Sequence, residues 1–189
     1  MARWAKDPSG RLQQAAMELY SERGFERTTV AQIARRAGLT ERTFFRHFAD
    51  KREVLFARTG DLQELLINTV ASAPDWSQPL DAVAAGLAAV GAVLQPGRDY
   101  SRQRQAIIDA NAELRERELI KLAGWASAVA EALRDRDVPE TTATLAAETG
   151  IAVFKVAFNN WVGAPEPEED LPELLRQTFD HLTAAWKRG

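Results

Sequence analysis

Residues 28–51 read TTVAQIARRAGLTERTFFRHFADK, and this stretch decides how the rest of the chain is organised. Thr29 with Gln32 three positions later has the form of a capping box, which predicts a helix from Val30. Val30, Ile33, Ala34 and Ala37 follow the i, i+3, i+4, i+7 spacing of one buried helical face. Gly38 falls where that face runs out, and a left-handed C-terminal cap favours glycine because it has no Cβ to clash. Thr40 is placed to cap a second helix, about Glu41 to Phe48, on which Phe44 and Phe48 share the core side. Asp50 and Glu53 repeat the capping-box form and predict a helix that carries Lys51 and runs to about Ala71. Two short helices joined by a glycine-containing turn of this length form a helix-turn-helix, whose second helix enters a DNA major groove.

The same residues resemble the DNA-binding region of TetR-family (tetracycline-repressor-like) transcriptional regulators. That family shows Thr-Val/Ile-x-x-Ile-Ala-x-x-Ala-Gly-Val/Leu, then a helix ending aromatic-x-His-Phe-x-x-Lys. Here the matching residues are Thr29, Val30, Ile33, Ala34, Ala37, Gly38, Leu39, Phe45, His47, Phe48 and Lys51. So many matches at fixed spacing make a specific signal, where a bare glycine turn would be a weak one. The resemblance implies that Thr29, His47 and Lys51 hold phosphate, with Thr40, Arg42, Thr43, Phe45 and Arg46 near base edges. The chemistry suits those roles. Helix N-termini and threonine hydroxyls bind phosphate, arginine bridges guanine O6 and N7, and a ring or threonine methyl packs on a thymine methyl. One departure concerns Arg46. The family often has two ring residues just before the His-Phe pair, whereas here Phe45 is followed by Arg46, so an operator sequence does not carry over.

A chain of 189 residues that is 46% hydrophobic can build one sizeable core or two small ones. With no cysteine it has no disulfide, thiolate nucleophile or cysteine-based metal site, which suits a reducing compartment. No run of 18 apolar residues occurs, and the opening MARWAKDPSG lacks the apolar segment of a signal peptide. The expectation is a cytoplasmic protein with no membrane partner. The net charge of −3 is unevenly placed: residues 1–60 carry 12 Lys/Arg against 7 Asp/Glu, and residues 61–189 carry 12 against 20. A basic N-terminal third on an acidic remainder is the asymmetry expected if only that third approaches phosphate.

Outward from the motif, Met1 to Lys6 reads as a loose, weakly basic arm; such arms reach a minor groove in other helix-turn-helix proteins, but a disordered terminus is the favoured reading. A first helix starts at Asp7-Pro8 or Ser9, buries Leu12, Ala15, Ala16, Leu19 and Tyr20, and ends at Gly24. Phe25 is expected to fold back on Ile33, Phe44 and Phe48, giving a three-helix unit too small to be very stable alone. From Ala73-Pro74 onward every segment is helical in pattern. Pro79–Leu94, about Asp99 onward with Ile107 and Ile108, about 112–135 with Leu119, Leu122, Val129 and Leu133, 141–162, and a last helix from about Leu171 are separated by proline or glycine breaks. The fold class is therefore all-α, with about nine helices: a helix-turn-helix DNA-binding domain over 1–51 and a helical effector-binding and dimerisation domain over 52–189.

Two histidines, His47 and His181, have no metal-ligand spacing, and no glycine-rich phosphate loop or nucleophile elbow is present, so neither metal nor cofactor nor catalytic residues are assigned. Among the large C-terminal aromatics, Trp76, Trp125, Phe154, Phe158, Trp161 and Trp186, core packing is the ordinary reading. Trp125, Phe154 and Phe158 are the candidates to border a pocket for a small apolar or amphipathic effector. The broad stripe Leu171, Leu175, Thr178, Phe179, Leu182 and Trp186 is the candidate dimer face, with the helix over 141–162. The resulting expectation is a homodimeric repressor on palindromic double-stranded operator DNA, released by a small molecule. Two alternatives stand beside it: a ligand-independent regulator answering to a protein partner, and a helical enzyme with an ancillary helix-turn-helix.

Overall fold

The computed structural model describes residues 7–165 and 169–186, with the side chains of residues 185 and 186 outside that description. The basic arm over residues 1–6 lies outside the described residues. Among the described residues there are nine α-helices and no strand. They are α1 (Pro8–Arg23), α2 (Val30–Arg36), α3 (Glu41–His47), α4 (Thr59–Ala71), α5 (Pro79–Leu94), α6 (Arg98–Asp109), α7 (Ala112–Arg134), α8 (Glu140–Gly163) and α9 (Leu171–Trp186). Short 3-10 turns occupy Glu53–Phe56 and Gln95–Gly97. The chain divides into two compact units, one running to Thr59 and including Gln103–Glu118, the other comprising Gly60–Arg102 and the chain from Leu119.

In the first unit, α1 starts as its sequence requires. The Asp7 carboxylate accepts from the Gly10 N–H at 2.8 Å, Pro8 takes the first helical position, and Gly24 ends the helix at φ 86°. Leu12, Ala15, Ala16, Leu19 and Tyr20 are buried along it, Phe25 is buried edge-on to Tyr20 with ring centroids 5.2 Å apart, and Ile33, Phe44 and Phe48 are buried as well. The helix anticipated from Lys51 to Ala71 is not continuous. Asp50 accepts from the Arg52 and Glu53 N–H groups as a cap, but only the 3-10 turn follows, and α4 begins at Thr59. Val54, Leu55 and Phe56 explain the break. All three are buried, and three consecutive buried residues do not fit an α-helix with a single apolar stripe. The Leu55 carbonyl accepts from Arg104 Nε at 2.7 Å instead of continuing a helical ladder.

That arginine belongs to the support this small unit recruits. Ile108 and Leu114 of α6 and α7 are fully buried in it, Gln103 donates to Ser21 Oγ at 2.7 Å, and the Arg104 guanidinium lies 5.0 Å over the Phe56 ring. Ion pairs Arg104–Glu118 (3.1 Å) and Arg117–Glu53 (2.6 Å) close the same seam. A three-helix unit is marginal by size, and this segment supplies the missing apolar cover.

The second unit centres on α5, α8 and α9. Ala82, Val83, Leu87 and Val90 of α5 meet Ala147, Phe154, Ala157 and Trp161 of α8, and Leu171, Leu175 and Phe179 of α9. Helix ends are stitched by side chains: Arg98 donates to the Trp161 and Ala164 carbonyls, Arg136 to those of Val70 and Pro74, and Gln95 Oε1 accepts from the Leu171 N–H at 2.8 Å. Asp170 caps α9 through the Glu173 N–H, as its sequence predicts. The stretch Pro79–Asp109 is long and apolar enough by composition to cross a membrane, yet α5 supplies much of this core.

Three sequence expectations change here. Leu119, named with the apolar residues of its helix, is exposed, and Trp76, read as core packing, lies almost fully exposed between α4 and α5. The α9 stripe read as a dimer face is in large part core of the single chain: Leu171 and Leu175 are fully buried and Phe179 nearly so, while Thr178 and Leu182 are half-buried. Its breadth is used in covering α5 and α8 of the same chain, and the Trp186 side chain is outside the described residues.

The crossing of α5 and α8 depends on Gly150, where a Cβ would lie 2.3 Å from Val83 Cγ1. Gly150→Ala should cost about 1–3 kcal/mol through overpacking, read as a lower urea midpoint. Adding Val83→Ala should recover part of the loss; no change in either variant would mean the helices are not in close contact there.

Candidate nucleic-acid interface

The helix-turn-helix forms as its spacing predicts, and each joint has an identifiable chemical cause. Thr29 accepts from the Gln32 N–H at 3.3 Å while Gln32 Oε1 accepts from the Thr29 N–H at 3.0 Å, a complete capping box for α2. Gly38 adopts φ 65°, the left-handed conformation a glycine takes without strain. Thr40 caps α3 by accepting from the Thr43 N–H at 3.1 Å, and its hydroxyl also meets that of Thr43 at 3.0 Å. α3 ends one residue earlier than expected, at His47, with Phe48 extended and buried.

On α3 the inward and outward sets separate cleanly. Phe44 is fully buried and Phe48 packs beside it with ring centroids 5.6 Å apart. Thr40, Arg42, Phe45, Arg46 and His47 are exposed and Thr43 is half-buried. Phe45 keeps more than half its surface open while its ring meets Phe44 edge-on at 5.5 Å, so it is an apolar side chain held outward in a fixed position. Among the described residues, neither Arg42 nor Arg46 has an ion-pair partner, leaving both guanidinium groups available to a nucleic acid.

The remaining two sequence-predicted residues of this site are placed differently from one another. Thr29 is exposed at the α2 N-terminus, where orphan N–H groups and the helix dipole favour an anion. Lys51 is half-buried, and its ammonium donates to three main-chain carbonyls, those of Phe25 (2.9 Å), Glu26 (3.3 Å) and Thr28 (3.1 Å).

Two braces of the motif were not visible in the sequence. The Arg11 guanidinium, on α1, donates to the Ala37 and Gly38 carbonyls and so caps the C-terminal end of α2; a Cβ on Gly38 would come within 2.9 Å of it. Arg36 forms ion pairs with Glu18 (3.1 Å) and Glu22 (2.8 Å). Hydrogen bonding from Arg36 holds the Glu22 carboxyl below its ordinary range, and the same bonds, Glu22 first and then Glu18, raise Arg36. At Asp50, burial pushes the carboxyl up, but hydrogen bonds from Arg52 and from the Glu53 and Arg52 N–H groups outweigh it and leave the group below its usual value. Only spatial proximity reveals Arg11, because its acceptors lie 26 and 27 residues away.

In the second unit, the effector candidates come together as one row of rings. Trp125 and Phe154 have centroids 5.8 Å apart, Phe154 and Phe158 stack at 5.6 Å, and Phe158 meets Trp161 at 5.8 Å. All four are buried, and the indole N–H groups of Trp125 and Trp161 have no acceptor among the described residues. An open groove of about 410 Å³ lies elsewhere, between the end of α4 and the start of α5, lined by Asn68, Thr69, Ser72, Pro74, Asp81 and Ala85 among others. On α8, Leu145, Ala152 and Val156 form an exposed stripe at i, i+7, i+11, with Leu145 and Val156 each more than half open.

Comparison with known proteins agrees with this geometry. The family model for bacterial regulatory proteins, tetR family, matches residues 12–57, and the model for the MftR C-terminal domain matches residues 77–187. A Mycobacterium tuberculosis protein named as a mycofactocin biosynthesis transcriptional regulator, MftR, is 29% identical over 180 residues, covering 92% of this chain and 88% of that protein. The helix-turn-helix transcriptional regulator TcmR of Streptomyces glaucescens is 39% identical over 75 residues, covering 40% of this chain and 33% of its own. Among solved structures, the complex of SmeT, from Stenotrophomonas maltophilia, with triclosan superposes with a TM-score of 0.67 at 24% identity, covering 94% of this chain and 90% of that one. FadR from Bacillus subtilis in complex with stearoyl-CoA gives a TM-score of 0.62 at 18% identity, covering 90% and 95%.

Arg46→Ala should weaken binding to a selected DNA site by about 1–3 kcal/mol and relax preference at one position per half-site, with little effect on random DNA. Equal weakening on selected and random duplexes would make Arg46 a phosphate contact.

Proposed function

The chain belongs to the tetR family of bacterial regulatory proteins, and on that premise we propose that it is a homodimeric repressor released from a two-fold symmetric operator by a small-molecule effector. The observation that carries the DNA-binding part is α3 itself: a seven-residue helix pinned by Phe44 that presents Phe45 outward beside Arg42 and Arg46, whose guanidinium groups have no ion-pair partner among the described residues. Thr29, Thr40, Thr43 and His47 surround that surface, with hydroxyl, amide and imidazole groups suited to phosphate oxygens and base edges. We assign DNA binding to residues 1–51 and effector binding with dimerisation to residues 52–189, in the cytoplasm. α6 and α7 each contribute residues to both compact units, which supports coupling between the two activities.

The effector belongs, in this reading, among Trp125, Phe154 and Phe158. Two buried indole N–H groups without acceptors are a standing cost that a ligand carbonyl, ether or hydroxyl oxygen would relieve. Structures of similar fold hold triclosan and stearoyl-CoA, so an apolar or amphipathic molecule is the class to test. Release is then a population shift, in which the effector binds the DNA-incompetent arrangement more tightly than the competent one. The close stacking of the same rings favours a second reading, a regulator whose helical part answers to a protein partner and takes no ligand. Selection from random duplexes with purified protein should return an inverted repeat, and apolar or amphipathic molecules added to that complex should release it. A complex indifferent to every such molecule would favour the second reading, and selection that returns no consensus would remove both.

For the dimer, we propose an interface on the outer side of α8, a reading that the buried character of Phe179 supports. Among the described residues, Leu145, Ala152 and Val156 form an exposed apolar stripe on α8, while Thr178 and Leu182 of α9 are half-buried. Two such faces across a two-fold axis make a four-helix packing with self-complementary contacts. Val156→Asp puts an unpaired charge on each side of that axis and should give a folded monomer in sedimentation, with operator affinity lost. A Val156→Asp protein that stays dimeric would place the interface on another surface.

A further inference from the structure

Lys51 matches the lysine that closes the family's motif, and the resemblance assigns it to phosphate. Its surroundings point to another task. A lysine ammonium has three N–H donors and no acceptor. Here those three donors meet three carbonyls, of Phe25, Glu26 and Thr28, all within 3.3 Å. The same nitrogen lies 4.2 Å over the Phe25 ring, so the aromatic face fills its remaining side. The backbone of Lys51 is also held, because the Tyr20 hydroxyl donates to the Lys51 carbonyl at 2.6 Å. Burial, and then the charge of Asp50, push the Tyr20 phenol well above its ordinary value, keeping it a donor.

The three carbonyls lie on one strategic segment. Residues 24–29 join α1 to α2, and Thr28 immediately precedes the α2 cap residue Thr29. The Thr28 side chain faces inward, buried, with its hydroxyl donating to the Gly24 carbonyl at 2.9 Å. Its carbonyl, on the other side of the peptide, is held by Lys51. The peptide that delivers Thr29 to its capping position is thus gripped from both ends, once by its own side chain and once by a residue that follows α3. We propose that Lys51 is a positioning residue: it sets the α2 N-terminus, and through Thr29 the phosphate-facing edge of the motif, and it does not itself bind phosphate. The chain segments before α2 and after α3 are closed into one frame by this single cation.

The inference rests on the DNA-binding reading and is separable from it. If wild-type protein binds no selected duplex, the functional reading fails; if wild type binds, the following comparison judges Lys51 alone. Operator affinity is measured over a series of KCl concentrations for wild type, Lys51→Met, Tyr20→Phe, Thr29→Ala and the double variant Lys51→Met/Thr29→Ala, each checked for helical content by circular dichroism. A positioning role predicts that Lys51→Met weakens operator binding about tenfold, on the scale of one charge-assisted contact. The slope of log K against log salt should stay at its wild-type value, because no phosphate contact is lost. Tyr20→Phe should act in the same direction and more weakly. Lys51→Met should cost little once Thr29 is already alanine, since coupled residues are not additive. A slope that falls by about 2 for the dimer, one phosphate per protomer, with additive effects of Lys51 and Thr29, would make Lys51 a phosphate ligand and overturn the proposal. Unchanged operator affinity with only a lowered melting temperature would overturn it equally, by leaving Lys51 a purely structural residue.

Discussion

One ammonium group closes the frame from which the recognition helix projects. A helix-turn-helix of two seven-residue helices cannot hold its own geometry, because isolated helices of that length are unstable in water. Its shape has to be imposed by neighbours. Lys51 ties the segment before α2, Arg11 ties the turn after it, and the buried Phe44 and Phe48 fix α3 from beneath. The two cations differ from the guanidinium groups of Arg42 and Arg46 in a respect that matters for DNA. Their donors are already occupied by main-chain oxygens, whereas those of Arg42 and Arg46 face outward. Counting basic residues in such a domain therefore overstates the charge that can meet a nucleic acid.

The motif was legible in the sequence because its signals are local. Capping boxes act over three residues, a left-handed turn needs its glycine at one position, and a buried stripe recurs every three or four residues. Thr29 with Gln32, Gly38, and Thr40 with Thr43 all behave as those rules require. Legibility ended where the deciding partner was distant. The helix drawn through Lys51 to Ala71 breaks because Val54, Leu55 and Phe56 are all drawn inward and Arg104, 49 residues away, takes the Leu55 carbonyl. Amphipathic pattern likewise showed that α9 has a broad apolar stripe without showing which surface covers it. Leu171, Leu175 and Phe179 turn out to face their own α5 and α8.

The two units are built on different physical terms. The first is small and relies on polar stitches and borrowed apolar cover from Ile108 and Leu114. The second is a close-packed helical core, with Gly150 allowing α8 to approach Val83 and a continuous row of rings from Trp125 to Trp161. Dense interiors of this kind deform in discrete steps rather than gradually, which suits a domain proposed to switch between two arrangements. Among the described residues, the orphan indole N–H groups at the two ends of the ring row are a polar cost in that interior.

The central claim, that Arg42, Phe45 and Arg46 read DNA from a frame fixed by Lys51, is tested most directly by a structure of the protein bound to its selected duplex. The account predicts α3 within the major groove, these three side chains at base edges, and Lys51 Nζ still on the Phe25, Glu26 and Thr28 carbonyls. An α3 lying outside the groove, or a Lys51 turned away from those carbonyls onto a phosphate, would contradict it.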